Sequence, residues 1–181
     1  MREIEIKARV DNHTVLLENL VNAGVTLGQP LTQHDVVYLK PDAKSGSKDT
    51  IGLRIRTEND SVIRFTLKKI VSGGLDKIEH EIEVDNSEEL AAMINLLGFE
   101  LYSDLTKIRR KTKVGAIEIC VDEVSGLGNF IEAEMLVGDD ADHDTVVTEL
   151  WKLFTRLGIK KVNEIHEGYD ILDRRSRGLP L

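Results

Sequence analysis

The stretch REIEIKAR, residues 2–9, alternates charged and apolar side chains along almost its whole length. Successive side chains of a β-strand point to opposite faces, so this period of two predicts a strand over residues 3–10. One face of that strand carries Glu3, Glu5 and Lys7, and the other carries Ile4 and Ile6. The chain therefore opens with a strand that has one ionic face and one apolar face.

Further strands with similar alternation follow along the chain. We predict them at residues 34–39, 51–57, 62–69, 77–85, 106–114, 116–124 and 129–137. The segments ENDS (58–61) and VSGG (71–74) separate the middle strands and contain the Asn, Asp, Ser and Gly that tight turns favour. A meander of antiparallel strands is the simplest interpretation.

Helical spacing of apolar residues predicts helices between the groups of strands. They cover residues 12–23, 86–97 and 142–157, and each is followed by a glycine that can end it. A shorter helix is predicted over residues 164–174, where a solvated terminal helix is favoured over a lid carrying His166 and Tyr169. Because no linker divides the chain, we expect one domain over residues 1–181.

Charged side chains occupy one face of nearly every predicted strand. The cations of this face are Lys7, Arg54, Arg56, Arg64, Lys68, Lys107 and Arg109, and the carboxylates include Glu79, Glu81, Glu83, Glu118, Asp122, Glu132 and Glu134. The opposite face is apolar and must be buried, and the amphipathic helices are the available cover. We therefore expect the helices to pack on the outside of the sheet.

The ionic face allows two arrangements of the sheet. Alternation alone favours an open antiparallel sheet with one dry and one wet face. Sorting of the charges by sign favours a sheet curled into a closed barrel, because a solubilising face would mix Thr, Ser, Gln and Lys. A barrel of about eight strands encloses room for side chains or one small ligand.

So many ions inside a barrel would be very costly without water, because burying unpaired ions costs several kcal/mol each. The interior must therefore hold water and ions. A polyanion bound by the cations, with a divalent metal bridging it to the carboxylates, would satisfy both sets of charges. Mg²⁺ is typically held by one or two carboxylates together with substrate phosphates, so the pattern points to a metal-bound triphosphate.

Composition excludes several other classes of protein. Of 181 residues, 31% are charged and 41% are apolar, as in folded globular domains. The 32 acidic residues exceed the 24 basic ones, which argues against nucleic acid or an anionic membrane as partner. A single cysteine, Cys120, fits a reducing compartment. With no signal-peptide core and no long apolar run, we expect a cytoplasmic protein.

Eight motifs, in order, resemble those of the CYTH domain, the triphosphate tunnel metalloenzyme superfamily. They are ExExK (3–7), HDxxY (34–38), LRIR (53–56), TLK (66–68), ExE (81–83), KxR (107–109), VD (121–122) and GLGxFxExE (126–134). The resemblance covers almost the entire chain. It implies an α+β fold, an eight-stranded antiparallel β-barrel with helices packed outside, and divalent-metal chemistry on a triphosphate.

The resemblance also implies roles for particular residues. The implied ligands of Mg²⁺ or Mn²⁺, or their supports, are Glu3, Glu5, Asp122, Glu132 and Glu134. The implied phosphate ligands are Lys7, Arg54, Arg56, Lys68, Lys107 and Arg109, to which the charge pattern adds Arg64. Lys7 and Lys68 are the candidate catalytic bases, provided that neighbouring cations lower the pKa of the ammonium group.

Three functions are compatible with these expectations. The GLGxF and HDxxY motifs and the short chain look most like class IV adenylyl cyclases, which convert ATP to cyclic AMP and pyrophosphate. The alternatives are an inorganic or thiamine triphosphatase, and a nucleotide- or polyphosphate-binding module without turnover. The resemblance also suggests a homodimer.

Overall fold

The fold is α+β, with nine strands and four helices in the computed structural model, which describes residues 2–73 and 75–181. The strands are β1 (Arg2–Arg9), β2 (Leu31–Leu39), β3 (Ile51–Glu58), β4 (Val62–Gly73), β5 (Asp76–Val84), β6 (Glu100–Val114), β7 (Ile117–Val124), β8 (Gly128–Val137) and β9 (Glu164–Ile165). The helices are α1 (His13–Asn22), α2 (Ser87–Leu96), α3 (His143–Arg156) and α4 (Tyr169–Ser176).

Two regions differ most from the sequence-based prediction. β6 begins at Glu100, six residues earlier than predicted, and residues 164–165 form a short strand where a helix was predicted. The predicted VSGG turn ends at Gly74, which lies outside the described residues. The other predicted strands and helices are present, with their ends shifted by a few residues at most.

The first eight strands form a closed antiparallel barrel in the order β1-β8-β7-β6-β2-β3-β4-β5. The ring closes where residues 2–4 of β1 pair with residues 76–78 of β5. Further along β1, Lys7 and Ala8 pair instead with β9. The closed barrel confirms the fold predicted from the sequence and shows that the open-sheet alternative was wrong.

The apolar faces of the strands lie outside the barrel, under the helices. Helices α1 and α3 cover β1, β7 and β8, where Ile4, Ile119 and Ile131 are fully buried against Leu150 and Phe154. Helix α2 covers β2, β3 and β4 in a second, smaller cluster. This arrangement leaves the ionic faces pointing into the barrel. In the described part of the chain, no helix is long and apolar enough to span a bilayer.

The C-terminal segment returns to the barrel after α3. It adds β9 to the edge of β1, and Tyr169 at the start of α4 packs with Leu105, Val124 and Phe130. Tyr169 is only 7% exposed, so the predicted solvated helix is wrong at this residue. The apolar interior positions at this part of β6, β7 and β8 provide the surface against which the segment packs.

Because Leu150 is fully buried between α3 and the barrel, we predict that Leu150→Ala lowers the free energy of unfolding by ~2 to 5 kcal/mol. Urea denaturation followed by circular dichroism measures this loss. Val162→Ala is the control, since Val162 is 86% exposed and its truncation should change stability by less than ~0.5 kcal/mol. Equal losses for the two variants would contradict the assigned core.

Candidate functional site

The barrel encloses a cavity of about 340 Å³ whose lining is rich in cationic side chains. We call the following seven lining residues the cation wall: Lys7, Arg54, Arg56, Lys68, Lys77, Lys107 and Arg109. They come from β1, β3, β4, β5 and β6, so positive charge approaches the cavity from several sides. Six of the seven are phosphate ligands predicted from the sequence, and the structure brings them together around one space suited to a polyanion.

Arg64 was predicted as a phosphate ligand, but it is not among the residues that line the cavity. Its side chain is 34% exposed, and its Nε lies 3.1 Å from Glu58 Oε2. Its Nη1 is 3.9 Å from Glu83 Oε2, so nearby carboxylates already compensate its charge. We therefore leave Arg64 out of the phosphate-binding set.

Lys77 is the member of the cation wall that the sequence-based prediction missed. Its Nζ lies 2.9 Å from Glu3 Oε1 and 2.6 Å from Glu5 Oε2. Burial would lower the pKa of Lys77, but the charges of Glu5 and Glu3 outweigh it and raise that pKa well above its ordinary value. The missed signal was the alternation of β5, in which Lys77 shares a face with Glu79.

Strand register places cations opposite carboxylates on neighbouring strands, on the inner face of the barrel. Asp35 on β2 faces Arg56 on β3 and accepts two hydrogen bonds of 2.6 Å from its guanidinium group. Lys107 Nζ donates to the same carboxylate at 3.2 Å. Burial would raise the pKa of Asp35, but Lys107 and Arg56 outweigh it and hold that pKa well below its usual range. Asp35 thus fixes two members of the cation wall.

Asp122 plays a similar part for Arg109, although the sequence predicted it as a metal ligand. The two residues face each other on β7 and β6, and both carboxylate oxygens of Asp122 accept hydrogen bonds from the guanidinium group of Arg109. Tyr169 Oη also donates to Asp122 Oδ2, at 2.9 Å. With these contacts Asp122 orients Arg109, so its place in the structure favours a supporting role over metal ligation.

Three predicted metal ligands, Glu3, Glu5 and Glu134, come together and are called the acid trio here. One carboxylate oxygen from each lies within 4.8 Å of the others. Glu5 and Glu134 are directly opposite in the β1–β8 register, an arrangement that is destabilising for like charges. Burial and the charges of Glu3 and Glu5 raise the pKa of Glu134 to about 8. A bound cation would relieve this repulsion.

The residues present fit a hard divalent cation. Glu5 Oε1 is buried and has no hydrogen-bond partner among residues 2–73 and 75–181, although Lys7 Nζ is 3.3 Å away. Carboxylate oxygens are the ligands that Mg²⁺ and Mn²⁺ prefer. Glu132, the remaining predicted ligand, lies 3.1 Å from Lys7 Nζ and also pairs with Arg109, so it borders both groups of charges.

The buried thiol of Cys120 lies beside Glu132 and Glu134. Burial raises the pKa of Cys120 well above its ordinary value, so the thiol stays protonated and is a poor metal ligand or nucleophile.

The lysines of the cation wall differ in their capacity to act as bases. For Lys7, burial is outweighed by Glu5 and Glu132, which raise the pKa of the ammonium group and disfavour the predicted base role. For Lys68, burial and the charge of Arg54 lower the pKa. For Lys107, burial and the charge of Arg109 lower the pKa to about 7. Lys107 is therefore the base candidate that the sequence-based analysis overlooked.

Part of the cavity is lined by a loop and by the C-terminal segment instead of by the barrel strands. The loop between β2 and β3 contributes Ser45, Gly46 and Ser47, and the C-terminal segment contributes residues 166–171. Ser45 Oγ donates to Asp170 Oδ2 at 3.2 Å, which joins the two segments. No feature of the sequence indicates this contact, because it depends on how the C-terminal segment returns to the barrel.

A barrel with sign-sorted charges around a central cavity matches a known family. The CYTH domain matches residues 1–169 of this chain, and the chain belongs to that family. Proteins of the family act on triphosphate substrates and generally use divalent metals.

Two related proteins resemble the chain along almost their full length. The candidate adenylate cyclase MJ0240 of Methanocaldococcus jannaschii is 29% identical over 170 residues, which are 93% of this chain and 97% of that protein. Adenylate cyclase CyaB of Aeromonas hydrophila is 27% identical over 177 residues, which are 96% and 90% of the two chains.

Solved structures share the fold. The PH1012 protein of Pyrococcus horikoshii OT3 has a TM-score of 0.81 at 24% identity, with 94% of this chain and 98% of that one covered. The candidate adenylyl cyclase HpAC1 from Hippeastrum, described as having a dominant triphosphatase activity, has a TM-score of 0.62 at 16% identity, with 99% and 97% covered. At these identities the likeness establishes the fold alone.

The raised pKa of Glu134 predicts how stability depends on pH in metal-free protein. Protonated Glu134 contributes to the free energy of unfolding. This contribution is fully present below the ordinary pKa of 4.5 and is lost as the pH rises through about 8. Glu134→Gln removes this loss, so in EDTA the variant should melt several degrees above the wild type at about pH 9 and the gap should shrink at about pH 6. Differential scanning calorimetry measures both.

Glu149→Gln is the matched control for this prediction, because Glu149 is exposed on α3 and its Oε2 pairs only weakly with Lys152, at 3.0 Å. It should melt like the wild type at both pH values. A Glu134→Gln variant that melts below the wild type at alkaline pH would show that the carboxylate is not under repulsion.

The lowered pKa of Lys107 predicts that affinity for tripolyphosphate falls as the pH rises. With a pKa of about 7, the ammonium group loses its charge and its attraction for the anion above neutrality. Lys107→Arg stays charged, so its affinity should depend less on pH than that of the wild type. Calorimetric titration in EDTA from about pH 6 to 9 measures the slope.

Lys113→Arg is the matched control on the same strand, since the Lys113 side chain is 73% exposed. Its affinity should depend on pH as steeply as that of the wild type. Because tripolyphosphate also titrates in this range, the control shows how much of the pH dependence comes from the ligand. Identical slopes for Lys107→Arg and the wild type would contradict the assignment to Lys107.

Proposed function

We propose that the protein is a Mg²⁺- or Mn²⁺-dependent adenylyl cyclase of the class IV type, which converts ATP to cyclic AMP and pyrophosphate. The observation that supports this most is the junction of the cation wall with the acid trio. Lys77 lines the cavity and also contacts Glu3 and Glu5, so the two sets of charges adjoin at one place. The adenylate cyclase names of the two relatives support the choice of reaction.

The cation wall would bind the phosphate groups of the substrate. Arg56 and Arg109 are each held by a bidentate carboxylate, Asp35 and Asp122 respectively. A guanidinium group fixed in this way presents its remaining N–H groups in a set direction and needs no reordering when the ligand binds. Lys7, whose pKa is raised, would remain a charged phosphate ligand throughout the reaction.

The acid trio, with Glu132 beside it, would hold the divalent ion. When bound, such an ion supplies Lewis-acid stabilisation of charge that develops on the phosphate oxygens. Glu132 contacts Lys7, so the carboxylates that would hold the ion adjoin the cations that would bind the phosphates. That contact would hold the bound ion and the phosphate groups of the substrate at a fixed distance from each other.

In the proposed cyclase reaction, the ribose 3′-hydroxyl attacks the α-phosphorus and the bond to the bridging oxygen of the β-phosphate breaks. Pyrophosphate leaves with the electron pair of that bond. The hydroxyl proton passes to the neutral amine of Lys107, whose pKa of about 7 allows it to accept a proton near neutrality. Lys68, whose pKa is also lowered, is the second candidate for this role.

A triphosphatase acting on inorganic or thiamine triphosphate is the second candidate function. In that reaction the cation wall would bind the same phosphate chain, and water would attack the terminal phosphorus. The structure of HpAC1, with its described triphosphatase activity, favours keeping this candidate. The cation wall would also serve the third alternative, a nucleotide- or polyphosphate-binding module without turnover.

Other aspects of the function are proposed on sequence grounds. We expect a single domain over residues 1–181, a cytoplasmic location and a homodimer, with a nucleoside triphosphate or another triphosphate as the small-molecule partner. The net charge of −8 is the reason to expect neither nucleic acid nor an anionic membrane as partner.

Product analysis tests the proposed reaction. The protein is incubated with Mn²⁺ or Mg²⁺ and ATP, tripolyphosphate or thiamine triphosphate, and the products are separated by chromatography. Cyclic AMP and pyrophosphate from ATP are the expected result. Orthophosphate without cyclic AMP would favour the triphosphatase, and binding without any product would favour the binding module.

A pair of variants tests the role of the acid trio in this reaction. Glu5→Gln removes one negative charge and should lower metal-dependent turnover by about 100-fold, because a charged carboxylate ligand is replaced by a neutral amide. Glu149→Gln makes the same chemical change on exposed α3 and should keep wild-type turnover. Unchanged turnover in Glu5→Gln, with the fold intact by circular dichroism, would remove the acid trio from the proposed mechanism.

A further inference from the structure

Tyr169 on the C-terminal segment contacts several charged groups of the barrel interior. Its ring lies under the ammonium groups of Lys7 and Lys107, whose Nζ atoms are 4.1 and 5.2 Å from the ring centroid. Its hydroxyl donates to Asp122 at 2.9 Å, and Asp122 in turn holds Arg109. One side chain thus connects three members of the cation wall that come from β1 and β6.

The position of the tyrosine ring is itself fixed by the barrel. It packs edge to face on Phe130, with the ring centroids 5.0 Å apart, and it is 7% exposed. The backbone beside it is also held, since Lys7 Nζ donates to the carbonyl oxygen of Glu167 at 3.2 Å. Tyr169 is therefore a rigid part of the cavity lining and not a loosely placed terminal residue.

Such a contact has a physical consequence for the lysines. A lysine side chain has many rotamers, and the face of an aromatic ring attracts its ammonium group. Such a contact restrains the lysine without adding a negative charge to the site. Lys7 and Lys107 lie on strands that do not pair with each other, so backbone register alone does not set their separation. The shared ring contacts both lysines, in addition to the carboxylates that each of them pairs with.

We propose that Tyr169 is a positioning residue of the triphosphate site, holding Lys7 and Lys107 through its ring and the Asp122–Arg109 pair through its hydroxyl. This inference rests on the proposed function, because it assumes that the cation wall binds a triphosphate. It assigns to the C-terminal segment a part in binding the ligand, in addition to its packing against the barrel.

The test compares tripolyphosphate affinity in EDTA, where binding is measured without turnover. Tyr169→Leu removes both the ring face and the hydroxyl and should weaken affinity about tenfold or more. Tyr169→Phe keeps the ring and loses only the hydrogen bond to Asp122, so it should recover most of that loss. Calorimetric titration measures the affinities, and thermal melting checks that each variant is folded.

Tyr102→Leu is the matched control for loss of packing by the C-terminal helix. Arg174 of α4 lies 4.3 Å over the Tyr102 ring and donates to its carbonyl oxygen, but Tyr102 is not among the residues lining the cavity. The control should lower the melting temperature and leave the affinity within about twofold of the wild type.

A spectroscopic measurement gives a readout that a purely structural role would not move. The ε-methylene groups of Lys7 and Lys107, placed over an aromatic ring, should show ring-current shifts in the NMR spectrum of the wild type and Tyr169→Phe. Tyr169→Leu should abolish these shifts, and Tyr102→Leu should retain them.

The outcomes separate this inference from the proposed function. A wild type that does not bind tripolyphosphate would overturn both. A wild type that binds, with Tyr169→Leu unchanged or weakened no more than Tyr102→Leu, would overturn the role of Tyr169 alone. Equal losses in Tyr169→Phe and Tyr169→Leu would show that the ring does not position the lysines.

Discussion

Cations can be buried inside a barrel only if a carboxylate lies beside them, because an unpaired charge loses its hydration and gains nothing in return. Cross-strand register meets this requirement here. Asp35 faces Arg56, Asp122 faces Arg109, and Glu79 faces Lys68 on neighbouring strands. Each pair is directly opposite on antiparallel strands, so slippage of one strand by one residue would turn its charge to the outside and leave the partner charge unpaired inside. The register of the whole barrel is therefore tied to its internal charges.

The register also places like charges opposite each other in a few pairs, and one of these pairs lies in the acid trio that we propose holds the metal. Glu5 and Glu134 face each other with like charge, and Glu3 lies close to both. Lys77 compensates part of this charge through its contacts with Glu3 and Glu5. Glu134 still has a raised pKa, so the compensation is incomplete and a divalent cation would complete it. Elsewhere on the inner face, the carboxylates compensate the cations only in part, and the remaining positive charge can be neutralised by phosphate oxygens.

The C-terminal segment makes the barrel asymmetric. It packs on an apolar cluster formed by interior positions of β6, β7 and β8, and it brings Tyr169 against the lysines. The loop between β2 and β3 meets it through Ser45 and Asp170. One part of the cavity is thus bounded by ionic strands, and another by a loop and a helix that lie far apart in the sequence. Specificity for the non-phosphate part of a substrate would depend on this second boundary.

The sequence by itself determined the strands, the assignment of charged side chains to the interior and six of the seven cations that line the cavity. Alternation and sign depend only on neighbouring residues, so they can be read directly from the chain. The tertiary structure decided that Arg64 lies outside the cavity, that Asp122 supports Arg109, and that Tyr169 is buried. It also decided which lysines have a lowered pKa. These properties depend on distances between strands and on burial, because both the desolvation of a charge and its attraction to a partner vary steeply with position.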